Sequence, residues 1–239
     1  MLKVVLDPGH GGNSRANRGP TGYIEADGVL DMALKTRDLI RKKFPQVQVF
    51  LTRDKDMTLD PAPRVAKVNS FKADICISLH SNAGPESARG TEVIHSIFSK
   101  PYTGGHKLAL LLQKNIVSIC GTYDRGIKTV KSRHGKDYYF MIRDTNPSAA
   151  IVEYAFHSNR EDEALLKNEA FRYKCAIATA KSIAEYFGLE WLDETQVIEY
   201  FVYGTKEEKF GPYLKPEYAD NKKRTIEGQG YINTRIERR

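Results

Sequence analysis

Three short apolar runs, LKVVL at residues 2–6, DICISLH at 74–80 and AAIVEYAF at 149–156, are separated by segments of helical period. Runs this short, bounded by turn residues, read as strands buried on both faces, and a parallel sheet between helices buries strands in that way. The intervening segments supply the helices. Val29, Met32, Ala33, Leu39, Ile40 and Phe44 recur at helical spacing over residues 28–44, and Pro45 ends the segment. Prolines at 61 and 63 open a helix over 61–71. Further helices are predicted over 104–119, where KLALLLQKNIVSI forms the apolar face, and over 170–187. VQVFLT at 47–52, a run near TEVIHSIF, and YYFMI at 138–142 read as additional strands, and residues 121–137 as an exposed basic loop. Ser158 and Glu161 stand at capping-box spacing ahead of another helix. The alternation predicts an α/β fold: three layers, with a mostly parallel central sheet flanked by helices, plus a small C-terminal extension.

From about Leu192 the texture becomes polar and proline-containing, so the chain divides into a domain over 1–191 and a small module or arm over 192–239. The second segment is neutral in balance, and the whole formal charge of +7 sits on the first. That surplus suits an anionic partner such as nucleic acid or a bacterial wall polymer. The basic stretch 125–143 lacks interleaved stacking aromatics beyond Tyr138, Tyr139 and Phe140, so no nucleic-acid partner is expected. No run approaches the roughly 20 apolar residues of a membrane span. Neither is a charged lead followed by a long apolar segment present at the N-terminus, so no signal peptide is expected. Cys76, Cys120 and Cys175 are odd in number and widely spaced, which predicts buried free thiols rather than a disulfide framework.

Two of the strands end in histidine: His10, inside the glycine-rich PGHGG loop, and His80. Glu25 precedes the first helix, and Glu153 lies among apolar neighbours in the last strand. Two imidazoles and a carboxylate form the donor set of a catalytic zinc site with an open position for water. A second carboxylate, Glu153, would then move the proton, its pKa raised by apolar surroundings. The donors are scattered, and plainer roles remain open for them: a hydrogen-bonded strand end for His80, a helix-start charge for Glu25, a partner for a buried arginine for Glu153. Asp7 is placed either to orient His10 or to form a turn. His157 reads as a helix-start or supporting residue rather than a fourth ligand, and His95, His106 and His134 as surface or packing residues.

Taken together, VVLDPGHGG, IE, LTRDKD, RVAKVN, ISLHSNA, RGTEV and IVEYAFHSN resemble, in order and spacing, the N-acetylmuramoyl-L-alanine amidases of the Amidase_3 type. The resemblance covers residues 2 to about 188. It implies a Zn2+ cofactor held by His10, Glu25 and His80, and Glu153 as the catalytic glutamate. The implied reaction is hydrolysis of the amide between N-acetylmuramic acid and L-alanine in peptidoglycan, by a zinc-activated water with Glu153 as general base and acid. Asn82 and Arg143 fall near the substrate cleft of that family. The chain departs from the pattern in ADGVLDMAL, where an asparagine usually precedes the leucine, and in EYAF, where a glycine usually precedes the phenylalanine. Neither change removes a ligand. No inserted autoinhibitory helix is evident between His80 and Glu153, which predicts an open cleft.

Two rival readings are another zinc wall peptidase or carboxypeptidase, and a non-catalytic wall-binding protein. The HxxE pair common in the former is missing, since Asn13 follows His10 by three. Retention of the whole donor set with Glu153 argues against the latter. The expected partner is peptidoglycan, with other anionic wall polymers as candidates; the sequence leaves the oligomeric state open. The expected location is the cell wall. It would be reached by lysis-dependent release from the cytoplasm, as for a phage endolysin or sporulation autolysin, or as a mature secreted form. Residues 192–239 would serve wall binding or assembly.

Overall fold

A computed structural model describes residues 1–191, 200–203, 209–213, 223–224 and 235–238. The chain forms two compact units, Met1–Leu189 and Glu190–Arg239. The first carries β1 (Leu2–Pro8), α1 (Glu25–Lys43), β2 (Val47–Leu51), α2 (Pro61–Ser70), β3 (Ile75–Asn82) and β4 (Thr91–His95). These are followed by α3 (Gly104–Cys120), β5 (Asp124–Lys128), α4 (Phe140–Arg143), β6 (Ser148–Phe156), α5 (Arg160–Lys167) and α6 (Glu169–Tyr186). Six strands make one sheet in the order β2-β1-β3-β6-β4-β5. Strands β2, β1, β3 and β6 are parallel, β4 runs antiparallel to β6, and β5 follows β4 in parallel. This is the mostly parallel three-layer arrangement that the apolar runs imply.

Strand side chains alternate between faces with a period of two, and the two faces of this sheet are covered unequally. Val4, Leu6, Ile75, Ile77, Leu79, Val152 and Tyr154 are buried toward the long helices, with Val29, Met32, Leu108, Leu112 and Ile183 in the same core. The alternate set, Val5, Cys76, Ile94, Ala149 and Ile151, packs with Val68 of α2 and with Met141 and Ile142 of α4. Two short helices cannot roof a six-stranded sheet. Continuing the alternation toward the chain ends of the parallel strands takes Val5 to Asp7, Cys76 to Ser78 and His80, and Ile151 to Glu153. The functional side chains therefore emerge on the thinly covered face, at the strand ends where α/β proteins place their sites.

Helix ends follow from local chemistry. Helix α1 has Glu25 and Asp27 in its first turn and Arg41, Lys42 and Lys43 in its last, each sign matching the helix dipole. Helix α5 is capped by Asn159, whose side chain accepts from the Glu161 and Asp162 amides. The expected cap, Ser158, instead accepts from the Gly84 amide at 2.9 Å. Two further expectations are corrected. YYFMI contains no strand: Met141 and Ile142 are adjacent and both buried, which one helical turn achieves against α2 and an alternating strand would not. Residues 121–137 are not all loop, because β5 lies within them. As an edge strand with no fully buried residue, it carries no apolar run for periodicity to find.

The second unit contains a three-stranded antiparallel sheet in the order β8-β7-β9, from β7 (Tyr200–Tyr203), β8 (Lys209–Tyr213) and β9 (Arg235–Arg238). Part of QVIEYFVYG thus forms a strand. The remainder of that run, residues 196–199 and 204, lies outside the described residues.

Candidate active site

The site begins with the loop leaving β1. His10 sits at φ 60 and Gly11 at φ 114, a left-handed stretch that is strained for any residue bearing a Cβ. Buried guanidinium groups hold this loop by its carbonyls. Arg53 donates to Pro8 O at 3.0 Å, Gly9 O at 2.8 Å and Ala26 O at 2.7 Å. Arg64 donates to Pro8 O at 2.9 Å and His10 O at 3.0 Å. The Gly9 backbone lies so close to His80 that a Cβ there would collide with the imidazole. The glycines thus serve close packing of the loop against His80 and the 53–58 segment.

Asp7 neither touches His10 nor simply forms a turn. It accepts from Arg64 Nη1 at 2.6 Å, Thr52 Oγ1 at 2.6 Å and Ser78 Oγ at 2.7 Å. Burial opposes its charge, but the Arg64 guanidinium and these hydrogen bonds outweigh it and hold the carboxyl below its ordinary range. Asp7 is therefore the counter-ion that lets Arg64 be buried beneath the His10 loop.

Glu25 enters from the start of α1. The turn before it is fixed by Glu163, which accepts from the Thr21 amide at 2.9 Å and the Tyr23 amide at 3.0 Å. Its carboxylate is 1% exposed and lies 3.3 Å from His10 Nε2 and 3.0 Å from His80 Nδ1. The Ser81 amide donates to it at 2.9 Å, and Asn17 Nδ2 donates to it at 2.9 Å. Burial disfavours its charge, yet His10 and His80 together hold the carboxyl well below the usual carboxylate range. His10, Glu25 and His80 offer ligand atoms all within 4.8 Å of one another. Two imidazole nitrogens and one carboxylate oxygen, converging at the edge of a cleft, match the donor chemistry of a zinc ion. His157 stands behind this trio: its Nδ1 is 2.9 Å from Ser81 Oγ and 3.9 Å from Glu25 Oε2. It contacts the carboxylate's surroundings and contributes no atom to the trio.

Glu153 lies beside His80 in the β3–β6 register. Its Oε2 is buried and has no hydrogen-bond partner among the described residues. Burial, reinforced by the negative charges of Glu25 and Glu92, raises its pKa well above the ordinary value. Glu153, His10 and His80 line one cavity of about 290 Å³ together with the apolar side chains of Leu59, Tyr139, Phe140 and Met141. Of the two other residues placed near the cleft, Asn82 donates from Nδ2 to Glu92 Oε1 at 2.9 Å, and Glu92 pairs across the sheet with Glu153. Arg143 does not line the cavity; its guanidinium binds Asp144 at 2.8 Å and the Tyr138 carbonyl at 3.0 Å. His95 is buried and edge-on to His106, a packing role. Between His80 and Glu153 the helices are α3, on the well-covered face, and the single turn of α4.

Arg53, Arg64 and Glu92 organise this site, and no periodicity or spacing marked them. Their only signal was membership in LTRDKD, RVAKVN and RGTEV.

An α/β sheet presenting two histidines and a carboxylate beside a neutral-tending buried glutamate defines a candidate metal-dependent hydrolase. The chain belongs to the N-acetylmuramoyl-L-alanine amidase family, Amidase_3, which it matches over residues 4–185. It is 30% identical over 190 residues to the N-acetylmuramoyl-L-alanine amidase CwlM of Bacillus licheniformis, covering 79% of this chain and 70% of that one. It is also 30% identical over 194 residues to the endolysin of Bacillus phage SPP1, covering 80% and 68%. The solved catalytic domain of CwlV, an N-acetylmuramoyl-L-alanine amidase from Bacillus (Paenibacillus) polymyxa, superposes with a TM-score of 0.70 at 28% identity, over 80% of this chain and 100% of that one. No helix among the described residues is long and apolar enough to cross a membrane.

Proposed function

We propose that this chain hydrolyses the amide between N-acetylmuramic acid and L-alanine in peptidoglycan, with zinc held by His10, Glu25 and His80 and with Glu153 as general base and then general acid. The observation that carries the reading is the unbonded, buried Oε2 of Glu153 in the same cavity as His10 and His80. A bound zinc ion would supply Lewis acidity toward the scissile carbonyl and a lowered pKa for the attacking water. The protein's own groups do the rest. Glu153 Oε2 takes a proton from the water as the C–O bond forms. It then gives that proton to the L-alanine nitrogen as the C–N bond breaks, leaving a lactyl carboxylic acid, which keeps the water's other proton, and a free amine. Burial and the nearby Glu25 and Glu92 charges raise this carboxyl above its ordinary range, which strengthens it as a base toward the water proton. The apolar wall of Tyr139, Phe140 and Met141 limits water around the reacting atoms.

Residues 192–239 are proposed to attach the catalytic unit to the wall or to assist assembly. The reading is tested by mass spectrometry of purified peptidoglycan after digestion. Free stem peptides beginning with L-alanine beside intact glycan, lost on chelation and restored by zinc, are expected. Cuts within the stem or the glycan would assign a different bond, and wall binding without products would assign a binding module.

A further inference from the structure

The strand order sets the site residues out in a row. His10 follows β1, His80 lies on β3, Glu153 on β6 and Glu92 on β4, and the edge strand β5 brings Arg125 and Lys128. Glu92 Oε2 is 2.7 Å from Arg125 Nε and 3.2 Å from Lys128 Nζ, while its Oε1 accepts from Asn82. One carboxylate thus faces two cations. Among the described residues no other carboxylate approaches either one: Arg125 has only a further 3.4 Å contact to Arg89 O. The guanidinium is stacked on Phe156 at 4.7 Å, which fixes its plane. The side chains of Arg125 and Lys128 are 27% and 40% exposed, against 11% for Glu92. Glu92 therefore works as a buried post, and the surplus positive charge opens to solvent on the side of Glu153 away from the metal-binding trio.

We propose that Arg125 and Lys128, held by Glu92, form a carboxylate-binding subsite that takes the free α-carboxylate of the second residue of the stem peptide. The inference rests on the amidase reading above, which places the scissile bond at Glu153. Glu92 is one strand spacing from Glu153, about 4.8 Å, and Arg125 and Lys128 reach it from the strand beyond. The α-carboxylate of a second residue joined through its side-chain carboxyl lies about 7 Å past the scissile bond, two residues of extended chain. By strand spacing the cations fall between one and two spacings from Glu153, about 5–10 Å, a range that includes this reach. A single cation would have sufficed to neutralise Glu92.

The test compares two disaccharide-peptide substrates that differ only in whether that α-carboxyl is free or amidated, with zinc present, by chromatography of released peptide. The native protein is expected to favour the free acid about tenfold in kcat/KM, the size of a charge-assisted hydrogen bond at a partly exposed site. Lys128→Met with Arg125→Met should bring the ratio within about twofold, and Lys128→Arg should preserve the preference. Equal kcat/KM for the two substrates in the native protein overturns the subsite while leaving the amidase reading intact. Cleavage of neither substrate overturns the amidase reading and the subsite with it. The native comparison needs no variant, so it decides the matter even if a substitution prevents folding.

Discussion

Replacing Arg64 by methionine is expected to unfold the His10 loop's support more than any surface change in this domain. The Arg64 side chain is 6% exposed and its partner Asp7 1%. The guanidinium donates to Asp7 Oδ1, Pro8 O, His10 O and Leu59 O. Methionine matches the stem but strands a buried carboxylate, and breaking a buried pair from one side costs about 3–5 kcal/mol. Against a total stability of about 5–15 kcal/mol, that is a large fraction. Urea unfolding at neutral pH, in chelator so that metal binding does not contribute, reads the loss directly. Arg64→Met combined with Asp7→Asn removes the stranded charge and should recover about 1–3 kcal/mol relative to the sum of the single changes. Since Asp7 is held below its ordinary value of 3.8 in the folded state, its contribution is complete above the unfolded pKa of about 3.9 and is lost as pH falls through the folded one. The native protein should therefore lose stability more steeply than Asp7→Asn below about pH 4. A loss under about 1 kcal/mol for Arg64→Met would equate this pair with an exposed one and refute the reasoning.

Gly9→Ala pushes a methyl into the His80 imidazole; zinc affinity by competition with a chromophoric chelator should fall about 10–100-fold, as for disturbed ligand support, and unchanged affinity would show that the loop yields freely. Chelation should lower the melting temperature, because zinc at a hundred times its Kd stabilises the folded state by about 2.7 kcal/mol, or roughly 5–10 °C for a domain of this size; no shift would count against a site preformed in the fold. Glu163→Gln weakens the grip on the Thr21 and Tyr23 amides and should reduce zinc affinity through displacement of Glu25, a change that calorimetric zinc titration would detect.

What the sequence made legible tracks how each residue is buried. Strands β1, β3 and β6 are covered on both faces and left continuous apolar runs, while α1 left a stripe of Val29, Met32, Ala33 and Ile40. Strand β5 is an exposed edge and left none. YYFMI was ambiguous because a short apolar run does not distinguish a buried turn from a strand, and two polar residues in succession, Ser158 and Asn159, competed for one cap. His10 and His80 stand out as histidines at strand ends, Glu25 as a carboxylate at a helix start and Glu153 as a carboxylate in an apolar run, and the fold brings them together. The tasks of Arg53, Arg64 and Glu92 could not be read in advance. They bind carbonyls and charges tens of residues away, contacts that exist only once β1, α2, β4 and β5 have assembled.

The most direct test of the account separates metal binding from turnover in one variant, Glu153→Gln, with His80→Ala as its counterpart. Glu153→Gln should bind zinc with native affinity and one ion per chain, while its turnover on purified peptidoglycan falls by a factor of about 100 or more, the contribution of a positioned general base. His80→Ala should lose both. A Glu153→Gln protein that retains native turnover, or that binds no zinc, would contradict the division of labour between the His10–Glu25–His80 trio and the buried glutamate beside it.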